Sequence, residues 1–235
     1  MIRVVAETGS TNADLLALAG AGAVSEGLWL RAERQTAGRG RLGRAWVSPT
    51  GNLYASTVVR LRPSDPAAAT LAFVAAVALE EAVRVHLPKA RGLALKWPND
   101  LLIAGAKLSG MLLERAGDMV VLGIGLNLAH HPDLADRLTT SLAAHGAEVA
   151  PDAFLETLAE GFARWLARWR GEGLAPVRQR WLERAHPIGT ALTARLPDGR
   201  GVTGLFHGLD ADGALLLRLA DGTRHVMHAG DVLLA

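Results

Sequence analysis

The sequence predicts an α+β protein: a mixed or antiparallel sheet backed by helices, then a small all-β barrel. Three observations carry this. β-Branched and apolar runs suited to strands alternate with helical patterns through residue 129. Phe154, Leu155, Leu158, Phe162, Trp165 and Trp169 recur at three- and four-residue spacing, a helical stripe more easily read as core than as a cofactor box. Beyond His186-Pro187 the chain turns into short apolar runs separated by turn signals.

In order, residues 1–6 read as a strand. "GSTNADLLALAGAG" then reads as a helix with Thr11 as N-cap, Asp14 in its first turn and Leu15, Leu16 and Leu18 on its apolar face. Residues 27–33, "GLWLRAE", suit a buried strand, and residues 52–61, "NLYASTVVRL", a β-branched one. Asp65-Pro66 is expected to open a helix to about His86, with Val74, Val77, Ala78 and Val85 facing the core. "ALKWPNDLLI" is a strand interrupted at Pro98. Ala104-Gly105 turns into "KLSGMLLERA", and "MVVLGIGLNLA" is another strand. Helices follow over 151–171 and in "LAPVRQRWLERA". Turn signals at Pro197-Asp198-Gly199, Asp210 to Gly213 and Asp221-Gly222 punctuate the last segment, so the expected division is 1–185 and 186–235.

The chain has 235 residues, enough for one large domain or one plus a small one. Half are hydrophobic but only 5% aromatic, so Ala, Leu and Val must fill most of the core. A net charge of +2 argues against nucleic-acid binding by the surface as a whole. Without cysteine there is no disulfide framework, thiolate nucleophile or Cys-based zinc site. "MIRVVAETGS" lacks a signal pattern, and no apolar run nears the ~18 residues of a membrane span, so the expectation is a soluble, cytoplasmic protein.

Four stretches carry chemistry. "AGRGRLGRAW", residues 37–46, sets Arg39, Arg41 and Arg44 among Gly38, Gly40 and Gly43. Arginine clamps phosphate bidentately and glycine lets backbone N–H groups approach an anion. A solvated turn, an RNA patch and a nucleotide-phosphate loop all remain open, although the Gly-Lys-Ser/Thr of a Walker A loop is missing. In "KWPNDLLIAGAKLSGMLLE", Lys96, Asn99, Asp100 and Lys107 interrupt apolar strands, where charge is costly unless paired or used. A hairpin would bring Asp100 and Lys107 together, either as a structural pair or as a Mg²⁺ site completed by substrate phosphate. "GSTN", residues 9–12, fits a helix cap. "GIGLN", residues 123–127, marks close approach to a strand and ends on Asn127. His130-His131 has no third ligand at regular spacing and reads as a loop pair.

Taken in order, "STN" at 10–12, "QTAGRGRLGRAW" at 35–46, "KWPND" at 96–100, "KLSG" at 107–110 and "GIGLN" at 123–127 resemble the biotin protein ligases along essentially the whole chain. The resemblance implies a central mixed β-sheet with helices on one side and a small C-terminal SH3-like β-barrel. It implies an ATP-dependent ligase that forms biotinyl-5′-AMP from biotin and MgATP. Biotin then passes to a lysine of the biotin carboxyl carrier domain of acetyl-CoA carboxylase or a related biotin enzyme. Implied biotin contacts are Ser10, Thr11, Asn12, Gln35, Gly38, Arg39, Lys107, Gly110 and Gly123. Implied adenylate contacts are Arg39, Arg41, Arg44, Trp46, Asn99, Asp100 and Asn127. Lys107, Arg41 and Arg44 are the implied catalytic residues and Asp100 the implied Mg²⁺ ligand. ATP and Mg²⁺ are used, with no prosthetic group.

Some members carry an N-terminal DNA-binding domain, for which a first motif at residue 10 leaves no room, so no DNA and no membrane partner is expected. Relatives dimerise through sheet edges, which leaves a homodimer open. Leu42 and Ala106 stand where basic residues are frequent in the family. The enzymatic alternative is a lipoate- or octanoate-type ligase, although the Arg-Arg-x-Ser-Gly-Gly-Gly loop is absent. The other alternative is an RNA-binding module using the Arg/Gly loop. The loop itself is expected to stay open until phosphate relieves repulsion among its arginines.

Overall fold

A computed structural model of the chain describes residues 1–195 and 200–234; the Pro197-Asp198-Gly199 turn lies outside the described residues. The elements run β1 (Ile2–Thr8), α1 (Thr11–Gly20), β2 (Trp29–Gln35), β3 (Leu53–Arg60), α2 (Leu71–His86), β4 (Leu93–Lys96), β5 (Asp100–Ile103), β6 (Ala106–Ala116) and β7 (Met119–Leu126). Then come α3 (Pro151–Glu172), α4 (Leu174–Arg184), β8 (Ala191–Arg195), β9 (Gly201–Leu209), β10 (Leu215–Arg218), β11 (Arg224–Met227) and β12 (Asp231–Leu234).

The first seven strands form one sheet, ordered β1-β2-β3-β7-β6-β5-β4. Only β1 and β2 are parallel, so the sheet is mixed. β3 and β7 are buried on both faces. Val59, Leu122 and Ile124 join the main core with α2, α3 and α4, whereas Val58 and Val121 join a smaller cluster with Leu15 of α1. The three long helices therefore cover one face and α1 part of the other. The aromatic stripe of α3 is core, with Trp29 and Phe162 edge to face at 5.6 Å.

β8–β12 form a five-stranded antiparallel sheet ordered β11-β10-β9-β8-β12. This is the small C-terminal β unit expected; among the described residues β11 and β12 are not paired to each other. It shares the helices' core: Phe73 of α2 meets Trp181 of α4 at 5.6 Å, and Trp181 meets Phe206 of β9 at 6.5 Å. Among the described residues no helix is long and apolar enough to cross a membrane.

Four expectations need correction. Ser10, not Thr11, caps α1: its side chain accepts from the Ala13 N–H. α2 begins at Leu71 rather than at Pro66, because Asp65 accepts the Arg62 N–H at 3.0 Å and closes a turn that a short 3₁₀ segment follows. Val85, near that helix's end, is exposed. Pro98 does not interrupt one strand but sits in a reversal: Lys96 faces Asp100 across a tight hairpin with a cis Trp97-Pro98 bond.

Candidate active site

The register of the sheet builds the site. Ser56, Gly123 and Leu112 lie side by side across β3, β7 and β6. Two residues along, Tyr54, Gly125, Gly110, Asp100 and Lys96 form a second cross-strand row. The two rows stand roughly 7 Å apart, from the rise of a strand, and point to the same face. They floor a cavity of about 440 Å³. Because three floor positions are glycine, other side chains lie directly on the backbone. A Cβ at Gly123 would meet Asn12 Oδ1 at 2.3 Å, and one at Gly125 would meet the Trp46 ring at 2.4 Å. One at Gly110 would meet Lys107 Nζ at 3.1 Å, and one at Gly38 the Trp46 carbonyl at 2.7 Å. The close approaches expected of Gly38, Gly110 and Gly123 are thus made first by this chain's own groups.

The first row forms a neutral, hydrogen-bonding end. Ser56 donates to Asn12 Oδ1 at 2.7 Å, the Thr11 and Ser56 hydroxyls lie 2.7 Å apart, and the Thr11 N–H donates to Gln35 Oε1 at 2.9 Å. Thr11, Asn12 and Ser56 are all buried. Such an end suits an uncharged head group carrying its own donors and acceptors.

The second row forms a charged end. The Ala104-Gly105 turn, with φ of 49° and 83°, returns the chain so that Lys107 Nζ lies 2.6 Å from Asp100 Oδ1, while Lys96 Nζ lies 3.0 Å from Oδ2. Burial works against the charged form of Asp100, but the two lysines outweigh it and hold its carboxyl below the usual range. Burial pulls the Lys107 ammonium downward, and Asp100 offsets only part of that. Lys107 also lies 5.6 Å from the Trp46 ring centroid. With both Asp100 oxygens on lysines, and with no cluster of three acidic, histidine or cysteine ligands among the described residues, this donor set does not fit a resident metal ion. His130 and His131 are loop residues, as expected, with His131 Nδ1 beside the Ser141 hydroxyl.

The Arg/Gly loop folds over the charged end. Gly40 N–H donates to the Arg44 carbonyl at 2.8 Å and Trp46 N–H to the Gly38 carbonyl at 2.9 Å. The expected repulsion among its arginines is relieved from within the chain. Arg41 lies 3.3 Å from Asp231 Oδ1, Arg44 pairs with Oδ2, and Arg41 also donates to the Gly230 carbonyl at 3.0 Å and to Asn99 Oδ1 at 3.2 Å. Lys96 donates to the Val232 carbonyl at 2.8 Å, so β12 forms one wall of the cavity. Arg39 is exposed at the mouth with no ion pair among the described residues. The lining carries seven basic residues against three acidic ones, an imbalance that favours a polyanion. All three loop arginines line this concave site, not an open strip interleaved with aromatics, which does not suit the RNA-binding alternative.

The expected residues therefore converge: Ser10, Thr11, Asn12, Gln35, Arg39, Arg41, Arg44, Trp46, Asn99, Asp100, Lys107, Gly110, Gly123 and Asn127 all line one cavity, with Gly38 buried behind the loop. Asn127 gives its Nδ2–H to the Thr140 carbonyl at 3.0 Å, which holds the segment bearing Arg137 and Thr139 at the mouth. Sequence reading missed Ser56, Arg137 and Asp231. It also missed Asn52, whose Oδ1 accepts the N–H groups of Leu128, Ala129 and His130. Asp231 falls in the C-terminal "GDVLL" that resembles the family, but with no role attached to it; Ser56 and Arg137 belong to no motif, and an Asn opening a buried strand was the signal for Asn52.

A neutral head-group end joined to a cationic end can hold a carboxylic acid and a nucleotide phosphate together, the arrangement an adenylate-forming ligase requires. Comparison with known proteins is consistent with that class. Residues 10–127 match the family model for the biotin/lipoate A/B protein ligase family, and residues 188–234 that for the biotin protein ligase C-terminal domain. The chain belongs to the biotin/lipoate A/B protein ligase family. It is 42% identical to the biotin–[acetyl-CoA-carboxylase] ligase of Paracoccus denitrificans, covering 97% of this chain and 98% of that one. It is 39% identical to the Mycobacterium tuberculosis protein of that name, covering 98% and 87%. Among solved structures, the biotin protein ligase of Aquifex aeolicus in complex with biotin and ATP superposes with a TM-score of 0.88 at 25% identity, covering 100% and 99%.

Proposed function

We propose that this chain is a biotin–protein ligase. It makes biotinyl-5′-AMP from biotin and ATP and transfers biotin to a lysine of a biotin carboxyl carrier protein. The single observation that carries the reading is the two-ended cavity: neutral polar groups over Gly123, and lysines and arginines two residues along over Gly125 and Gly110.

In the first half-reaction an oxygen of the biotin carboxylate forms a bond to the α-phosphorus, and the bond to pyrophosphate breaks. Two anions must approach, so a buried ammonium between them lowers the barrier; we assign this to Lys107, and its contact with Asp100 in the cavity, which would orient it, supports the assignment. Arg39, Arg41 and Arg44 stabilise the phosphate oxygens, the last two by leaving Asp231. Mg²⁺ enters with ATP as part of the substrate. In the second half-reaction the acceptor amine attacks the acyl carbon, loses a proton and releases AMP. Trp46, lying over the glycine floor, shields the mixed anhydride from water. The acceptor is the biotin carboxyl carrier domain of acetyl-CoA carboxylase or a relative, and the setting is the cytoplasm.

Pyrophosphate release from MgATP, measured separately with biotin, lipoate and octanoate, tests the reading. Release with biotin alone is expected; release with lipoate or octanoate but not biotin would assign the other acyl class.

A further inference from the structure

Behind the neutral end, outside the cavity lining, stands a carboxylate that the mechanism does not use. Asn12 Nδ2 donates to Glu114 Oε2 at 2.8 Å, and its second acceptor, the Leu112 carbonyl, is 3.5 Å away, at the limit of a hydrogen bond. A carboxylate only accepts, so Glu114 fixes which way the Asn12 amide points. Oδ1 must then face Ser56, which spends its single proton there at 2.7 Å. The Thr11 hydroxyl lies 2.7 Å from Ser56 and 3.2 Å from Gln35 Oε1; with the Ser56 proton on Asn12, the shorter contact requires Thr11 to donate to Ser56. Its lone pairs are left for the cavity, which Thr11 lines. Gln35 is fixed independently, because its Oε1 accepts the Thr11 backbone N–H at 2.9 Å. Every proton in the chain Thr11–Ser56–Asn12–Glu114 therefore points away from the ligand and toward β6.

We propose that Glu114 is a positioning residue that sets the donor–acceptor sense of the head-group end, keeping the Thr11 hydroxyl oxygen free of the Ser56 proton so that it can accept a ligand N–H. The proposal rests on the biotin reading above, since a ureido head presents N–H donors. Were the Asn12 amide reversed, Nδ2 would donate to Ser56 and Ser56 to Thr11; the Thr11 proton would turn to Gln35 Oε1, 3.2 Å away, and the Thr11 oxygen, already accepting from Ser56, would be a poorer acceptor for the ligand N–H. The Oδ1 atom lies where a Cβ on Gly123 would clash, so the amide has no room to swing aside and relieve the mismatch.

The test uses Glu114→Ala, Asn12→Asp and the double variant Asn12→Asp/Glu114→Gln, each checked for an unaltered far-UV spectrum and cooperative melting. Glu114→Ala frees the amide and should raise biotin KM, and biotin Kd without ATP, by about fivefold to tenfold, the worth of one hydrogen bond. Its kcat and ATP KM should stay within about twofold. Asn12→Asp opposes two carboxylates and should also weaken biotin. In the double variant, the carboxylate at position 12 accepts both from the amide introduced at position 114 and from Ser56. The original sense returns, and biotin KM should recover most of the loss. A merely structural Glu114 would not give this reciprocal rescue. Unmoved biotin KM in Glu114→Ala, or a double variant no better than Asn12→Asp, would overturn the proposal while leaving an active biotin ligase. A wild-type chain that binds no biotin would overturn both.

Discussion

At the residue scale the decisive group is Asp100, held between Lys96 and Lys107. Replacing it by Asn strands two largely buried cations, so Asp100→Asn should cost about 3–5 kcal/mol, the range for removing one partner of a buried pair. The Mg²⁺ concentration for half-maximal rate should not move. A raised Mg²⁺ requirement with unchanged stability would instead support the metal-ligand role read from the sequence. Lys107→Ala leaves Asp100 with Lys96 alone. It should slow biotin-dependent pyrophosphate release about 100-fold or more, the scale of one preorganised charge-stabilising group, for a much smaller loss of melting temperature. Normal turnover would remove Lys107 from the reaction. The convergence of Lys107 and Asp100 was legible because a turn signal at Ala104-Gly105 separates them. The fate of Asp100 was not, since the partner of its second oxygen depends on which side of Pro98 the chain reverses.

At the element scale, the Arg/Gly loop is tied to β12. Asp231 neutralises Arg41 and Arg44 across a sequence separation of nearly the whole chain, and this is why its role escaped sequence reading. Asp231→Asn should loosen the ligand-free loop: amide exchange across residues 37–46 should rise about tenfold, while β6 and β7 keep their protection. Exchange unchanged in the loop would mean that its own hydrogen bonds suffice. Motif residues within the loop were legible because glycine and arginine together have few structural uses. Ser56 and Glu114 were not, because in sequence they are ordinary strand residues, and only cross-strand register brings them to Asn12.

At the scale of the whole molecule, the proposed division near residue 186 separates two sheets but not two cores. Phe73, Trp181 and Phe206 pack through α2, α4 and β9. Trp181→Ala should therefore destabilise the protein by about 3–5 kcal/mol, the cost of emptying a buried aromatic site. Calorimetry should show one cooperative transition for both sheets; two transitions, with only one shifted by the substitution, would make the C-terminal sheet an independent unit. The β-rich tail was legible from its turns. Its seating on the helices depends on long-range packing that local pattern does not encode.

The central claim is that one cavity joins a biotin carboxylate to an adenylyl phosphate. Native mass spectrometry of the chain after incubation with biotin and MgATP tests it most directly. A retained species with the added mass of biotinyl-5′-AMP is expected, lost when a biotin carboxyl carrier domain is supplied and gains biotin on lysine. A chain that retains ATP and biotin only as separate ligands, with no adenylate formed and no acceptor modified, would contradict it.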